Sequence, residues 1–221
     1  MPAKSKVARV RPAKRIVRET RQSVRKRETH ERILNSARSI ARREGLRAAS
    51  VPRVMTGAGL TVGGFYGHFP SKTAMDVEVV RSMLGALPGR WLSGLEDLQG
   101  AEWARAATER YLNIPHRDDP DGCAFPAVLS EIATAPEEVR LAFAEAMELR
   151  VRAFQAQVPP TAGFTPRERS LAMTALTIGG LLLSRASRGN PISEEFLSAC
   201  KRWALPEMDA VARPRGSKGS R

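Results

Sequence analysis

Residues 50–72, SVPRVMTGAGLTVGGFYGHFPSK, decide the fold of this chain. Ser50 has a side-chain oxygen that can cap a helix, and Pro52 lacks only a donor that the first turn of a helix does not use. A first helix is therefore predicted over residues 51–58. Gly59 follows it, where the absence of a Cβ permits a left-handed backbone, so the chain is expected to turn there.

A second short helix is predicted over residues 62–69, because Thr61 can cap its start and Pro70 cannot continue it. Gly63 and Gly64 lie in its first turn, where each costs about 1 kcal/mol relative to alanine in a helix interior. Two interpretations stay open. Either the helix is weak and its neighbours hold it in place, or the missing side chains bring backbone N–H groups against a phosphate or a base edge. Under either interpretation, residues 50–72 are predicted to form a helix-turn-helix.

A Tyr-x-His-Phe-x-x-Lys spacing follows the glycine turn and is not a general helix pattern. Together with its surroundings it resembles the DNA-binding domain of the TetR family of bacterial transcription regulators. The resemblance is dense over residues 29–74 and rests on helix order alone beyond them. The matching residues surround the turn and the aromatic cluster: Ser50, Ala58, Gly59, Leu60, Thr61, Gly63, Phe65, Tyr66, His68, Phe69, Ser71 and Lys72.

Strand signals are scarce, so the chain is predicted to be all-α, with an N-terminal three-helix helix-turn-helix domain and a C-terminal helical domain. A basic, disordered arm is expected over residues 1–24, followed by the DNA-binding domain over 25–72. The resemblance implies a ligand-binding and dimerisation domain over residues 73–212. A basic tail over 213–221 ends the chain. The first structured helix is predicted over residues 29–44.

Basic charge is concentrated at the chain ends and around the helix-turn-helix. The formal net charge is +13. Residues 1–28 hold 11 Lys and Arg against two Glu, and residues 213–221 hold four basic residues and no acid. Residues 29–72 carry seven basic and two acidic residues. Because neutralised phosphates release counterions, this distribution predicts salt-sensitive affinity for nucleic acid.

Composition excludes several other classes of protein. Cys123 and Cys200 are too few for a disulfide scaffold, and residues 171–183, the most apolar run, are short for a bilayer span. A secretion signal is not recognisable, so a cytoplasmic protein is expected. No catalytic motif or metal-ligand cluster is apparent, so we predict neither an enzyme nor a cofactor.

Phosphate contacts are predicted from the resemblance together with local chemistry. The candidates carry a hydroxyl, a ring N–H or an ammonium group, and Thr29 joins them as the expected first residue of its helix. They are Thr29, Thr61, Tyr66, His68 and Lys72.

Base reading is less well defined by side chains. The resemblance implies polar or basic residues at the positions of Val62, Gly64 and Gly67, and this chain has none there. Val62 is expected to contact a thymine methyl group, and Gly63 and Gly64 to approach the DNA closely. Arg53 either contacts guanine or is a solvated charge. A dimer would bind a palindromic operator in double-stranded DNA, with half-sites about 34 Å apart.

Helices are predicted over residues 71–87, 91–98, 101–114 and 123–135, with a polar loop at 116–122. Two capping boxes predict the starts of two long helices, Thr134 with Glu137 and Thr165 with Glu168.

The last two helices are the predicted dimer interface. The second long helix is apolar nearly all round its middle, which indicates that both of its faces are covered, and Ser193 is predicted to open the last helix. In the family these two helices pair with those of a second subunit, although an intramolecular core would leave the same pattern. The candidates are Leu171, Ala175, Ile178, Leu182, Phe196, Cys200 and Trp203.

A small-molecule effector is implied by the family, whose C-terminal helices enclose an apolar cavity. Its candidate lining is aromatic, with one thiol, although a simple core explains each residue without a ligand: Trp91, Trp103, Tyr111, Cys123, Phe125, Phe143 and Phe154. Cys123 is either a sensor of electrophiles or oxidants, or a buried, inert thiol.

The predicted function is that of a DNA-binding transcriptional regulator, a repressor released from its operator by the effector. The alternative is an architectural protein that coats any duplex through its basic tails. The tails favour that alternative, and the patterned C-terminal helices argue against it.

Overall fold

The computed structural model describes residues 20–85, 92–158 and 163–205. In these ranges the chain is helical, which confirms the predicted all-α fold. The α-helices are α1 (Arg21–Glu44), α2 (Val51–Gly57), α3 (Lys72–Leu84), α4 (Gly100–Tyr111), α5 (Ile114–Asp118), α6 (Phe125–Ala133), α7 (Glu137–Gln155), α8 (Pro166–Ala186) and α9 (Ile192–Ala204). A 3₁₀ helix, Val62–Gly67, lies between α2 and α3.

Helix α1 begins well before the predicted start at residue 29. Thr20 caps it, because the Thr20 hydroxyl oxygen accepts a hydrogen bond from the Ser23 N–H at 3.2 Å. The first turns are rich in Arg, Lys and Gln, which favour helix without needing burial. The prediction of a disordered arm is therefore wrong for residues 21–24, and the rest of that arm lies outside the described residues.

The N-terminal helices pack around a small core. Ile33 and Ala37 of α1, Val54 of α2 and the rings of Phe65 and Phe69 are fully buried. The two phenyl rings stack with centroids 5.5 Å apart. Burial of these apolar groups holds the helix-turn-helix on α1, and α3 continues the core towards the C-terminal helices.

The C-terminal helices form a bundle in which α3 packs on α7, α7 on α8 and α8 on α9. Polar contacts join α1 and the turn after it to this bundle. Arg42 donates to the Gly122 carbonyl at 2.5 Å, Arg43 pairs with Asp121 at 2.9 Å, and the Arg47 N–H donates to Glu131 at 2.9 Å. The DNA-binding helices are therefore tied directly to α6 and the segment before it.

Two predictions for the middle of the chain are wrong. Residues 92–98 form turns rather than a helix. Residues 116–118, expected in the polar loop, belong to α5, because the Asn113 side chain accepts a hydrogen bond from the His116 N–H at 2.7 Å and caps this helix. The predicted end of the helix after Ser71 falls partly in residues 86–91, outside the described part.

The two capping boxes differ in outcome. The box of Thr165 and Glu168 is confirmed, with backbone-to-side-chain hydrogen bonds of 3.2 and 2.8 Å in the two directions. The prediction of a capping box at Thr134 and Glu137 is wrong, because Pro136 occupies the N-cap position of α7 and Thr134 is the C-cap of α6.

Ser193 does not open α9, which begins at Ile192. Its buried hydroxyl donates instead to the Ser184 carbonyl of α8, at 2.6 Å. Ser193 therefore joins α8 to α9 rather than capping a helix.

Candidate nucleic-acid interface and ligand cavity

The predicted turn of the helix-turn-helix is formed as expected at Gly59, whose φ of +66° is strained for any residue with a side chain. The helix after it is shorter and tighter than predicted, ending at Gly67 rather than at residue 69. Three glycines in six residues weaken an α-helix, and the Phe65 carbonyl accepts from both the His68 and the Phe69 N–H groups.

The outer surface of the 3₁₀ helix is open. Thr61, Gly63 and Gly64 are exposed, as are 45% of Val62 and 69% of Tyr66. A Cβ added at Gly63 would meet no atom of the described chain within 4 Å, and one added at Gly64 would meet only the Met55 methyl group at 3.7 Å. The packing of the described residues therefore does not require glycine at either position.

His68 points inward rather than outward. Its Nδ1 is buried without a hydrogen-bond partner among the described residues, and its ring lies 6.1 Å from that of His30. Burial, followed by the charges of His30 and Lys26, lowers the pKa of His68. The neutral ring is thus favoured, which makes it a weaker phosphate contact than predicted.

Lys72 is bound within the protein. Its ammonium group donates to the Leu46 carbonyl at 2.9 Å and to both carboxylate oxygens of Asp76 at 2.7 Å. These contacts hold the start of α3 against the turn after α1. A phosphate contact would compete with this pairing.

Arg53 and Thr29 also differ from their expected settings. The Arg53 guanidinium forms an ion pair with Glu44 at 2.8 Å, so a contact with guanine would require it to leave this pair. Thr29 lies in the interior of α1 and is half-buried, so the prediction that it begins the helix is wrong.

A cavity of about 440 Å³ lies between the DNA-binding helices and the C-terminal bundle. Four of the predicted ligand-binding residues line it: Tyr111, Cys123, Phe125 and Phe154. Trp103 and Phe143 do not, and pack instead on the rings of Phe154 and Phe125, at 5.1 and 6.5 Å. Trp91 lies outside the described residues.

Sequence reasoning missed the polar part of the lining. Arg150 of α7 lines the cavity and is buried, and α1 contributes Asn35, Arg38, Ser39 and Arg42. One signal for Arg150 was present in the sequence, since it lies three residues after Met147 and four before Phe154, on the apolar stripe of its helix. The contribution of α1 had no such signal, because it depends on tertiary packing.

Cys123 is buried beside Tyr111, whose hydroxyl lies 2.9 Å from the thiol sulfur. Burial first, and then Cys123, raises the pKa of Tyr111 well above its ordinary value, so the phenol is neutral at physiological pH. Burial suits the inert-thiol interpretation of Cys123, whereas its place in the cavity lining suits the sensor, so the choice between them stays a prediction.

The described residues leave an apolar stripe uncovered on each of helices α8 and α9. Leu171 and Ala175 of α8 are exposed, and 59% of Trp203 of α9 is exposed. Leu182 and Phe196 are half-buried on the same stripes. One face of the apolar helix is thus open in a single subunit, and its coverage by a second subunit stays a prediction.

Two predicted interface residues belong to the subunit's own packing. Ile178 lies in the core, and Cys200 packs against Gly180, where an added Cβ would come within 2.7 Å of the thiol sulfur. Close approach of α8 and α9 at Gly180 explains both. Ile178 is therefore a core residue rather than an interface residue.

The described ranges contain neither a recognisable metal site nor a membrane span. No cluster of three or more His, Cys, Asp or Glu residues there is suited to a metal ion. No helix there is long and apolar enough to cross a bilayer.

Comparisons with known proteins agree with this geometry. The family model "Bacterial regulatory proteins, tetR family" matches residues 33–79, from α1 into α3. Comparison with curated proteins gives no match.

Similar solved structures include a TetR-family transcriptional regulator from Agrobacterium tumefaciens, with a TM-score of 0.65 at 20% identity, covering 81% of this chain and 97% of that one. Reduced NemR from E. coli has a TM-score of 0.64 at 19% identity, covering 79% and 96%. A TetR-family regulator from Cytophaga hutchinsonii has a TM-score of 0.66 at 17% identity, covering 81% and 94%. At these identities the structures show a shared fold.

Proteins of the matched family are generally non-enzymatic, DNA-binding regulators. The match spans the helix-turn-helix described above, and the helical fold extends the likeness over most of the chain. Residues 33–79 therefore match the bacterial regulatory proteins of the tetR family, and the chain shares the fold of solved TetR-family regulators over most of its length.

Proposed function

We propose that this DNA-binding regulator is a homodimeric repressor that leaves a palindromic operator when a small molecule fills the cavity beside α1. The observation that carries the proposal is the open surface of the 3₁₀ helix. Gly63 and Gly64 expose its backbone next to the Tyr66 hydroxyl, in a domain of a DNA-binding family.

DNA docks through this surface. The hydroxyl groups of Thr61 and Tyr66 are exposed and suit phosphate oxygens, which fix the register of the protein on the duplex. Gly63 and Gly64 let the backbone approach the DNA, and Val62 suits a thymine methyl group. Lys72 and His68 are secondary candidates, because both also serve the internal packing.

Ligand release works through α1, which contacts both the cavity and the helix-turn-helix. Asn35 and Ser39 line the cavity. Ser36, which lies between them on the chain, donates to the Val54 carbonyl of α2 at 2.9 Å. One turn earlier in α1, Arg32 donates to the Ala58 carbonyl at 2.5 Å. A ligand that favours a displaced α1 also displaces α2, and lowers DNA affinity by as much as its affinities for the two states differ.

Dimerisation, which is typical of the family, positions two helix-turn-helix units on successive half-sites. The uncovered apolar stripes of α8 and α9 support this arrangement. Burying Leu171, Ala175 and Trp203 against a second copy removes exposed apolar surface from water.

Genomic footprinting with the purified protein tests the regulator and supplies its operator. A small number of palindromic footprints that survive competition by random DNA at moderate salt is the expected result. A coating protein would protect DNA without preference, and that outcome would replace the repressor with the architectural alternative.

The footprinted duplex then tests the docking surface. Tyr66→Phe removes one exposed hydroxyl and should weaken operator binding about tenfold in a gel shift, with no change in thermal midpoint, because the group makes no buried contact. Wild-type affinity in this variant would remove Tyr66 from the interface.

A further inference from the structure

Arg150 of α7 is a buried cation in the wall of the cavity. Only 7% of its surface is exposed, and its Nε has no hydrogen-bond partner. No carboxylate among the described residues is within ion-pairing distance of its guanidinium group. Buried charges are normally paired, because desolvation of an unpaired ion is costly.

Two other arginines, the buried Arg117 and the half-buried Arg185, have hydrogen-bond partners for their guanidinium groups. Arg117 pairs with Asp118 at 2.9 Å and donates to the Ser193 hydroxyl at 3.0 Å. Arg185 donates to the carbonyls of Arg117, Cys123 and His116, each at 2.9 Å. Arg150 alone of these three lacks such partners, although it lies beside an open volume.

Aromatic rings fix the position of the Arg150 guanidinium without satisfying its N–H groups. Its central carbon lies 5.2 Å from the Tyr111 ring centroid, 5.7 Å from that of Phe125 and 5.0 Å from that of Phe154. Cation–π contacts of this kind hold the group in place and accept no hydrogen bond in its plane. The donors are therefore oriented in advance for an acceptor that enters the cavity.

The remaining lining selects an anion with an apolar body. Met83, Leu84, Leu92 and Ala107 supply apolar surface. Arg42 adds positive charge. The charges of Arg38 and Asp121 are each paired within the protein, with Glu31 at 3.5 Å and with Arg43 at 2.9 Å. A volume of about 440 Å³ suits a small organic molecule.

We propose that the effector is an organic carboxylate with an aromatic or aliphatic body, and that Arg150 binds its carboxylate. The Arg150 guanidinium donates two parallel hydrogen bonds to the carboxylate, while the apolar body fills the space between α1, α4 and α7. The inference rests on the proposed function only in taking this cavity as the effector site.

Matched pairs of probes test the charge directly. We expect 1-naphthylacetate to bind the full-length protein at least about tenfold more tightly than 1-naphthylacetamide in calorimetric titration, and octanoate to exceed octanamide likewise. Each pair shares one apolar body and differs in charge. Equal affinity within both pairs, or no binding by any of the four, would overturn the proposal.

Variants on one helix assign the preference to Arg150. Arg150→Gln should weaken carboxylate binding about 10- to 100-fold and leave amide binding nearly unchanged, while Arg150→Lys keeps part of the preference. Arg152→Gln is the matched control, because its side chain is 71% exposed on the same helix and pairs with Glu148. An unchanged carboxylate preference in Arg150→Gln would contradict the assignment.

Two further measurements distinguish a misfolded variant from a wrong ligand class, and a wrong ligand class from a wrong release mechanism. Circular dichroism establishes that Arg150→Gln is folded, and if it is not, the wild-type pairs and Arg150→Lys decide the outcome. Adding 1-naphthylacetate to the operator complex tests release. If the carboxylate binds through Arg150 without changing operator affinity, the ligand class stands and the release mechanism fails.

Discussion

Arg53 of α2 and Glu44 at the end of α1 form a two-pronged ion pair, with guanidinium nitrogens 2.9 and 2.8 Å from the two carboxylate oxygens. The hydrogen bond from Arg53 lowers the pKa of Glu44, and the bond to Glu44 raises the pKa of Arg53. Both side chains are about half exposed, so the pair adds little stability. The main effect of the ion pair is to keep the Arg53 guanidinium bound to Glu44, within the DNA-binding domain.

Releasing Arg53 should therefore strengthen DNA binding. Glu44→Gln removes the partner charge, and we expect operator affinity to rise a few-fold and the slope of log affinity against log salt to steepen by up to about one. Fluorescence anisotropy over a salt series measures both. Glu109→Gln on α4 changes net charge equally, and the same gain there would show that Arg53 is not a DNA contact.

The pair of Lys72 and Asp76 gives a pH-dependent prediction. The Asp76 side chain is only 14% exposed, and burial raises its pKa while the Lys72 hydrogen bond opposes the rise. Lys72→Met should lower the free energy of unfolding by about 2 kcal/mol near pH 7, because it leaves the carboxylate unpaired. Chemical denaturation measures the loss.

The sign of the pH effect follows from the raised pKa of Asp76. The folded state holds the proton more tightly than the unfolded state, so stability falls as pH rises from the ordinary value of 3.8 through the raised one. Removing Lys72 raises that pKa further, so its cost should shrink as pH falls towards 4. An equal loss at both pH values would contradict this account, as would failure of Asp76→Asn to recover stability in the double variant.

Dimerisation predicts a different response from two exposed positions. Ala175→Arg places a charge on the uncovered stripe of α8, where a second copy would have to desolvate it, so sedimentation should report a monomer. Leu149→Arg changes an exposed residue of α7 and should leave the wild-type mass unchanged. A wild-type monomer, or a dimer that tolerates Ala175→Arg, would refute the proposed interface.

Turn and capping residues, which act over a few positions of the chain, predicted the local structure well. The turn at Gly59 and the box of Thr165 with Glu168 are each set by residues within a few positions, and both are present. Ser71 likewise caps α3, its hydroxyl accepting from the Ala74 N–H at 3.0 Å. Ser50 and Thr61 occupy cap positions, although neither side chain makes the capping hydrogen bond.

Long-range packing limited the rest of the prediction. The internal bond of Lys72 to the Leu46 carbonyl joins residues far apart in sequence, and so does the bond of Arg42 to Gly122. In the sequence nothing distinguishes the charge of Arg150 from that of other arginines, whereas in the fold its guanidinium is buried among three aromatic rings. Four lining residues of the cavity were predicted with the help of the family resemblance. The buried charge of Arg150 in the cavity wall could be identified only from the packing.

Gly63 offers the most direct test of the docking surface. Its φ is not positive and a Cβ there meets no described atom within 4 Å, so Gly63→Leu should leave the thermal midpoint unchanged or slightly raised. On the DNA side the new side chain would occupy the space through which the backbone approaches the duplex. The decisive measurement is the affinity of folded Gly63→Leu for the footprinted operator. A loss of at least about tenfold is predicted, and wild-type affinity would contradict the account.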